Sequence, residues 1–238
     1  MRTLLALIAL IFLASCGGGE SNSSAPSAPV ATAKPPAGKV WTDVYASTGD
    51  GWVRQGNPDA PIKLVEYGSR SCPVCGAFAA TGTEPLRQKY ISTGQVSWEF
   101  RDFLVHPQDL GVALLGRCVS TDAFFPLLDA MYANQQAFNE KLTQDSFNQF
   151  KDLPPLDQAR ALTKFLGYDQ LLKQSGISDA QQAQCITQPK MDVLMKQLED
   201  AANNKKVNGT PTFFVNDKVV DGPSWQALEA ALQAAGAH

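Results

Sequence analysis

The spacing of hydrophobic residues along the chain changes period several times, and each change predicts an element. Residues 62–67 form a short apolar run, Ile-Lys-Leu-Val-Glu-Tyr, closed by Gly68, and predict a buried strand. In residues 95–103 the side chains of Val96, Trp98 and Phe100 alternate, which predicts a second strand. Between the two, a helix is expected to open at Pro73, where the missing N–H costs nothing. It should run to Tyr90 and bend at Pro85. Residues 106–205 read as a long helical block. Within it Leu110, Ala113, Leu114 and Cys118 fall at helical spacing, as do Met191, Leu194, Met195, Leu198 and Ala202. Ser178 followed by Gln181 predicts a capping box for a helix carrying Cys185. Residues 212–215 and 218–220 flank Asn216-Asp217 and predict a hairpin, and residues 223–236 predict a closing amphipathic helix. The order β, α, β, helical block, β, β, α describes an α/β domain with a large helical insertion before the final hairpin.

The N-terminus obeys a different pattern. Arg2 precedes an apolar run over residues 4–14, too short for a membrane-spanning helix, which needs about 20 residues. It has the form of a secretory signal. Its end, Leu13-Ala14-Ser15-Cys16, resembles a bacterial lipobox, which implies removal of residues 1–15 and lipidation of Cys16. Gly17 in place of Asp favours the outer over the inner membrane by the same resemblance. Residues 16–38 are rich in Gly, Ser, Ala and Pro and contain no aromatic residue, so they are expected to be a disordered tether. Residues 39–238 then form the folded domain. The expected location is the periplasmic side of the cell envelope, on a lipid anchor.

Composition narrows the chemistry. With 44% hydrophobic and 18% charged residues and a net charge of -3, the domain is an ordinary globular one. No basic stripe is present, which argues against nucleic acid as a partner. The two histidines, His106 and His238, offer little for a catalytic triad or a His-rich metal site. Cysteines carry more information. With Cys16 lipidated, Cys72, Cys75, Cys118 and Cys185 remain. In an oxidising compartment an even remainder suggests two pairs, Cys72 with Cys75 by proximity and Cys118 with Cys185. Cys118–Cys185 reads as a structural disulfide pinning the insertion, with two buried free thiols as the alternative. Cys72 and Cys75 could form a redox pair, a permanent disulfide or half of a metal clip, but tetrahedral zinc wants four ligands and no second pair has metal-like spacing.

Three segments resemble one family. Residues 56–61, Gly-Asn-Pro-Asp-Ala-Pro, lead into the first strand. Cys72-Pro73-Val74-Cys75 opens the helix, and Gly209-Thr210-Pro211-Thr212 precedes the hairpin. Together they resemble the DsbA-like branch of the thioredoxin fold, the periplasmic protein-disulfide oxidoreductases, over about residues 50–236. The resemblance implies that Cys72 is the nucleophile and Cys75 the resolving cysteine. It also implies a cis Pro211 beside the redox pair. The backbone of Thr210 would bind substrate peptide, and Pro73 and Val74 would lie in the same contact surface. Elementary chemistry agrees, since a cysteine at a helix N-terminus faces unpaired N–H groups and the positive end of the helix dipole, both of which favour thiolate. Val74 adds no charge where strongly oxidising relatives often have His. The Cys72 pKa is therefore expected between the values of about 7 and about 3.5 that mark thioredoxin and DsbA. Glu66 alternates with Ile62 and Leu64 and should share their apolar face. It would then have a raised pKa and could relay a proton for Cys75; a solvated or salt-bridged Glu66 is the alternative.

The implied activity is formation of disulfides in exported proteins, with no cofactor beyond the Cys72–Cys75 disulfide and no metal. The implied partners are reduced or unfolded exported proteins and a membrane redox protein, either a DsbB-like oxidant or a reductant, acting on a monomer. A reductase or isomerase is the near rival, because isomerase relatives also carry Thr before the proline. Those relatives dimerise through an added N-terminal domain, for which residues 39–60 are too few. A lipoprotein that binds a soft metal through its thiols is a rival of another kind.

Overall fold

The computed structural model describes residues 27–238, so the expected signal segment, Cys16 and the first part of the expected tether lie outside the described residues. A six-stranded sheet carries the fold in the order β1-β2-β4-β3-β5-β6. Its centre is the pair expected from the alternation, β3 (Ile62–Gly68) and β4 (Val96–Asp102), which run parallel with Leu64 opposite Trp98 and Glu66 opposite Phe100. A parallel pair needs a crossover. Here α1 (Pro73–Leu86) supplies it and ends in a wider π turn, Arg87–Ile91, just after Pro85. On the other side of β3 the hairpin β5 (Thr212–Val215) and β6 (Lys218–Val219) pairs antiparallel. Asn216 and Asp217 both take positive φ in its two-residue turn, the conformation such tight hairpins require.

Two strands were not anticipated. The short segments β1 (Tyr45–Ser47) and β2 (Val53–Gly56) extend the sheet beyond β4. Each has too few residues to display a period; β2 is held by pairing with β4 and β1 by pairing with β2, rather than by local pattern.

The expected tether boundary at residue 38 is also corrected. Residues 27–38 lie on the domain. The backbone N–H groups of Ser27, Val30 and Ala33 donate to the carbonyls of Ala234, Gly236 and Thr93, and the Trp41 indole donates to the Ala33 carbonyl at 2.7 Å. Val30 and Ala33 pack against the main core. Val30 lies by Gly236, just past α9 (Trp225–Ala234), and Ala33 by Thr93, Gly94 and Trp41.

The helical block resolves into seven helices, α2 (Asp109–Gly116), α3 (Thr121–Asn139), α4 (Gln144–Asn148), α5 (Pro155–Leu166), α6 (Tyr168–Gln174), α7 (Asp179–Ala183) and α8 (Gln188–Asn203). The Ser178–Gln181 capping box is present, but α7 stops at Ala183, so Cys185 lies just beyond the helix rather than on it. On α8, Leu194 is buried while Met195, expected on the same apolar face, is exposed. Two cores result. Ile62, Leu64, Trp98 and Phe100 of the sheet join α1 and α9 in one, and α2, α5, α6 and α8 form the other. The helix α3 belongs to both, giving Phe124, Phe125 and Leu128 to the sheet core and Leu127, Met131 and Phe138 to the helical one. Each such side chain contributes about 1.5–3 kcal/mol on burial, so α3 fixes the insertion to the sheet. Among the described residues no helix is long and apolar enough to cross a membrane.

Candidate active site at the N-terminus of the crossover helix

Cys72 is the N-cap of α1, with extended backbone, and Pro73 is its first helical residue. Cys72 and Cys75 are free thiols, and Cys75 is fully buried one turn into the helix. Val74 between them is half exposed. The Cys72 pKa is pushed down from 9.0 to about 5, first by the hydrogen bond from the Cys75 thiol. Partial burial opposes this, while the Thr210 hydroxyl and the N–H groups of Cys75 and Val74 add to it. The first cause is thus Cys75 rather than the helix terminus, whose N–H groups contribute last. Cys75 moves the opposite way, because burial and the nearby Cys72 and Glu66 all disfavour its charge. The two sulfurs are therefore unlike: one ionises readily and the other holds its proton.

Pro211 follows a cis peptide bond, and the Cys72 thiol donates to the Thr210 carbonyl oxygen at 3.5 Å. The Thr210 hydroxyl is buried and makes no hydrogen bond of ordinary length among the described residues. Beside this contact lies a groove of about 700 Å³, lined by Val74, Thr210, Pro211, Phe214, Val219 and Pro223. Its walls combine apolar side chains with backbone at the edge of the redox pair, as a site for extended peptide requires.

Glu66 points into the core beneath the cysteines, with burial raising its pKa from 4.5 to about 8 and the Trp98 indole N–H opposing that rise. The buried alternative is the one observed. Cys118 and Cys185 lie elsewhere, joined by a disulfide between the end of α2 and the segment after α7, with Cα atoms 5.6 Å apart. They do not meet the first pair. Among the described residues no group of three or more His, Cys, Asp or Glu side chains is placed to hold a metal ion.

The sequence reading missed the frame around residues 69–72. Gln135 on α3 donates to the carbonyls of Arg70 and Cys72 at 3.1 and 3.0 Å, and Asn139 one turn later donates to that of Ser71 at 2.8 Å. Two amides four residues apart on a helix share a face, and that spacing was the available signal. Asp109, at the start of α2, accepts from the hydroxyls of Ser69 and Ser71. Arg70 is buried against Asp102 at 2.7 Å, between the rings of Phe100 and Phe124. Gly116 is required there, since a Cβ would collide with the guanidinium. A buried pair is costly unless every charge is met, so this arrangement fixes the backbone two residues before Cys72. His106, which composition set aside, faces Asp109, which raises its pKa.

Comparison with known proteins accords with this geometry. A family profile described as thioredoxin matches residues 48–234. A Rickettsia bellii protein named protein-disulfide oxidoreductase is 29% identical over 181 residues, 76% of this chain and 62% of that protein. The chain thus spans about three fifths of the length of the Rickettsia relatives it matches. Disulfide bond formation protein D of Bacillus subtilis is 26% identical, covering 69% of this chain and 68% of its own. Among solved structures, a protein-disulfide isomerase from Novosphingobium aromaticivorans superimposes with a TM-score of 0.73 at 26% identity, over 79% of this chain and 98% of that one. The Wolbachia pipientis protein alpha-DsbA1, at 21% identity and a TM-score of 0.61 over 75% of this chain and 87% of its own, shares the fold.

Proposed function

The chain belongs to the thioredoxin family, and from that membership we propose that it is a thiol–disulfide oxidoreductase of the DsbA type that forms disulfides in exported proteins. The observation that carries this reading is the placement of Cys72 at the N-terminus of α1 beside Thr210, with Cys75 buried one turn on; it favours charge on Cys72 and disfavours it on Cys75. A stabilised Cys72 thiolate stabilises the reduced form, and a stable reduced form makes the disulfide a stronger oxidant.

In the forward direction a substrate thiolate attacks the Cys72 sulfur of the Cys72–Cys75 disulfide. The electron pair of the broken bond leaves on Cys75, which takes a proton. A second substrate thiolate then attacks the substrate sulfur of the mixed disulfide and expels Cys72 as thiolate. Two substrate thiols are oxidised and the cysteine pair is reduced by two electrons. Cys72 leaves well because its pKa is low. When Cys75 must attack in turn, Glu66 accepts its proton in those molecules whose carboxyl has ionised, a fraction that grows as pH rises towards about 8. The substrate segment lies in the groove beside Thr210 and Pro211, against Pro73 and Val74. A membrane oxidant of the DsbB kind restores the disulfide. Lipid on Cys16 holds the domain at the periplasmic face of the envelope, and Cys118–Cys185 braces the insertion without taking part.

The name of the Novosphingobium relative favours a second reading, an isomerase that works from the reduced state. The test is stoichiometric oxidation of a reduced, unfolded two-cysteine protein. One substrate disulfide should form per oxidised enzyme, and none with Cys72→Ala. An oxidised enzyme that leaves such a substrate reduced would rule out the oxidase reading.

A further inference from the structure

Cys75 takes part in disulfide exchange in both directions, yet it is fully buried, and burial disfavours the charge it must carry. A polar group meets its sulfur from outside the Cys72–Cys75 segment. The backbone N–H of Ser69, directly after β3, donates to Cys75 Sγ at 3.5 Å, a hydrogen-bond length for the larger sulfur atom. Every other polar group of Ser69 is engaged elsewhere. Its hydroxyl donates to the Asp109 carboxylate, 2.9 Å from each oxygen, and accepts from the Ser71 N–H at 3.2 Å. Its carbonyl accepts from the Cys72 N–H at 3.2 Å and from the Tyr132 hydroxyl at 3.3 Å. Asp109 is itself fixed, because it also accepts from the N–H groups of Val105 and His106 at 2.7 and 2.9 Å. Ser69 and Asp109 are each only 2% exposed. Ser69 is therefore held from α2 and α3, and its N–H is left facing the sulfur.

We propose that the Ser69 N–H is the hydrogen-bond donor that supports Cys75 while it is charged, with Asp109 and Tyr132 as the positioning residues that aim it. This rests on the redox reading of Cys72 and Cys75 and supplies the part of that chemistry which burial opposes. When a substrate thiolate attacks Cys72 Sγ, the electron pair of the broken Cys72–Cys75 bond goes to Cys75 Sγ, and the Ser69 N–H faces the charge until a proton arrives. In the reverse direction Cys75 gives up its proton to an ionised Glu66 or to water. Its thiolate attacks Cys72 Sγ, and the partner sulfur leaves with the electron pair of the mixed disulfide. The Ser69 proton stays on its nitrogen throughout. A thiol sulfur is a weak acceptor and an ionised one a stronger acceptor, so the bond tightens where charge develops, as donors in an oxyanion hole do. The sense of its effect is clear. Burial, Cys72 and Glu66 raise the Cys75 pKa, and the Ser69 N–H lowers it.

One experiment reads the two cysteines apart. Reduced protein mixed with oxidised glutathione first gains an adduct on Cys72 and then loses it as Cys75 closes the disulfide; acid quenching and mass spectrometry time both steps. Ser69→Ala keeps the N–H but cuts the hydroxyl ties to Asp109 and Ser71. Each unit by which the Cys75 pKa then rises removes about tenfold of its thiolate. The greater nucleophilicity of a more basic sulfur returns about half of that on a logarithmic scale, so adduct loss should slow about threefold. Adduct formation should keep its wild-type rate. Tyr132→Phe, which removes only the bond to the Ser69 carbonyl, should slow adduct loss in the same way. By NMR, the Ser69 amide proton of the reduced protein should move upfield in Cys75→Ala and exchange with solvent about fivefold faster, as loss of one hydrogen bond predicts. Unchanged adduct loss in Ser69→Ala, equal slowing of both steps, or a Ser69 amide indifferent to Cys75→Ala overturns the proposal. The amide measurement needs no turnover, so failure of the redox reading, seen as the absence of any glutathione adduct, stays distinguishable.

Discussion

The indole N–H of Trp98 donates to Glu66 Oε2 at 3.1 Å across the two central strands, with both side chains buried. No cation pairs with Glu66 among the described residues, so this bond offsets only part of the cost of burying the carboxylate. The fold therefore favours the protonated acid. With the folded pKa raised from 4.5 to about 8, the penalty is absent below pH of about 4.5, grows through that window and is complete above it. In the reduced protein, Glu66→Gln keeps an acceptor for the indole and removes the penalty. It should match the wild type in urea at pH 4 and exceed it by about 2–5 kcal/mol at pH 8.5. The same substitution should slow resolution of mixed disulfides by Cys75. Equal stability at both pH values would show that Glu66 is not buried as an acid.

Cys118 and Cys185 close a span of 67 residues. On the chain-entropy estimate, a loop of that size contributes roughly 4 kcal/mol. Non-reducing peptide mapping should recover the linked peptides, and Cys118→Ala/Cys185→Ala should lower stability by an amount of that order. The rate at which Cys72 is alkylated should change little. Loss of that reactivity in a fully folded double variant would contradict a purely structural role.

Val74 is half exposed beside Cys72 and contributes a backbone N–H but no charge. Placing a histidine there should stabilise the thiolate further. For a two-electron couple a tenfold gain corresponds to about 30 mV, and Val74→His should shift the potential in the oxidising direction by about that much. Equilibration in glutathione buffers measures it. An unchanged potential would mean that the helix terminus and Cys75 already saturate the effect.

Cys16 lies outside the described residues, and its lipidation is tested by location. Cys16→Ser should move the protein from the membrane fraction to the soluble exported fraction. Absence of an acyl mass on the N-terminal peptide of the wild type would remove the anchor.

Much of this architecture was legible where local pattern and tertiary environment coincide. The alternation of Val96, Trp98 and Phe100 and the apolar run at residues 62–67 marked the two central strands, because those strands are buried by packing that the pattern itself encodes. Asn216-Asp217 marked the hairpin for an equally local reason, the positive φ at both residues. The strands β1 and β2 were invisible because three or four residues cannot show a period. The docking of Val30 and Ala33 was missed because its partner surface is remote in sequence. At the site, Cys72, Cys75, Thr210 and Pro211 stood out through spacing and resemblance. Asp109, Gln135 and Asn139 did not, since a polar residue on a helix reads as solvent-facing until the fold brings a loop beneath it. His106 was set aside on composition, although the acid it faces, Asp109, lies only three residues further on.

Trapping the Cys72–Cys75 pair in living cells by rapid acid quenching and alkylation tests the central claim most directly. An enzyme that donates disulfides must be held oxidised, so most of the protein should resist alkylation at both cysteines until a reductant is added. A steady state in which Cys72 and Cys75 are both alkylated without reductant would contradict the account and make the protein a reductase or isomerase.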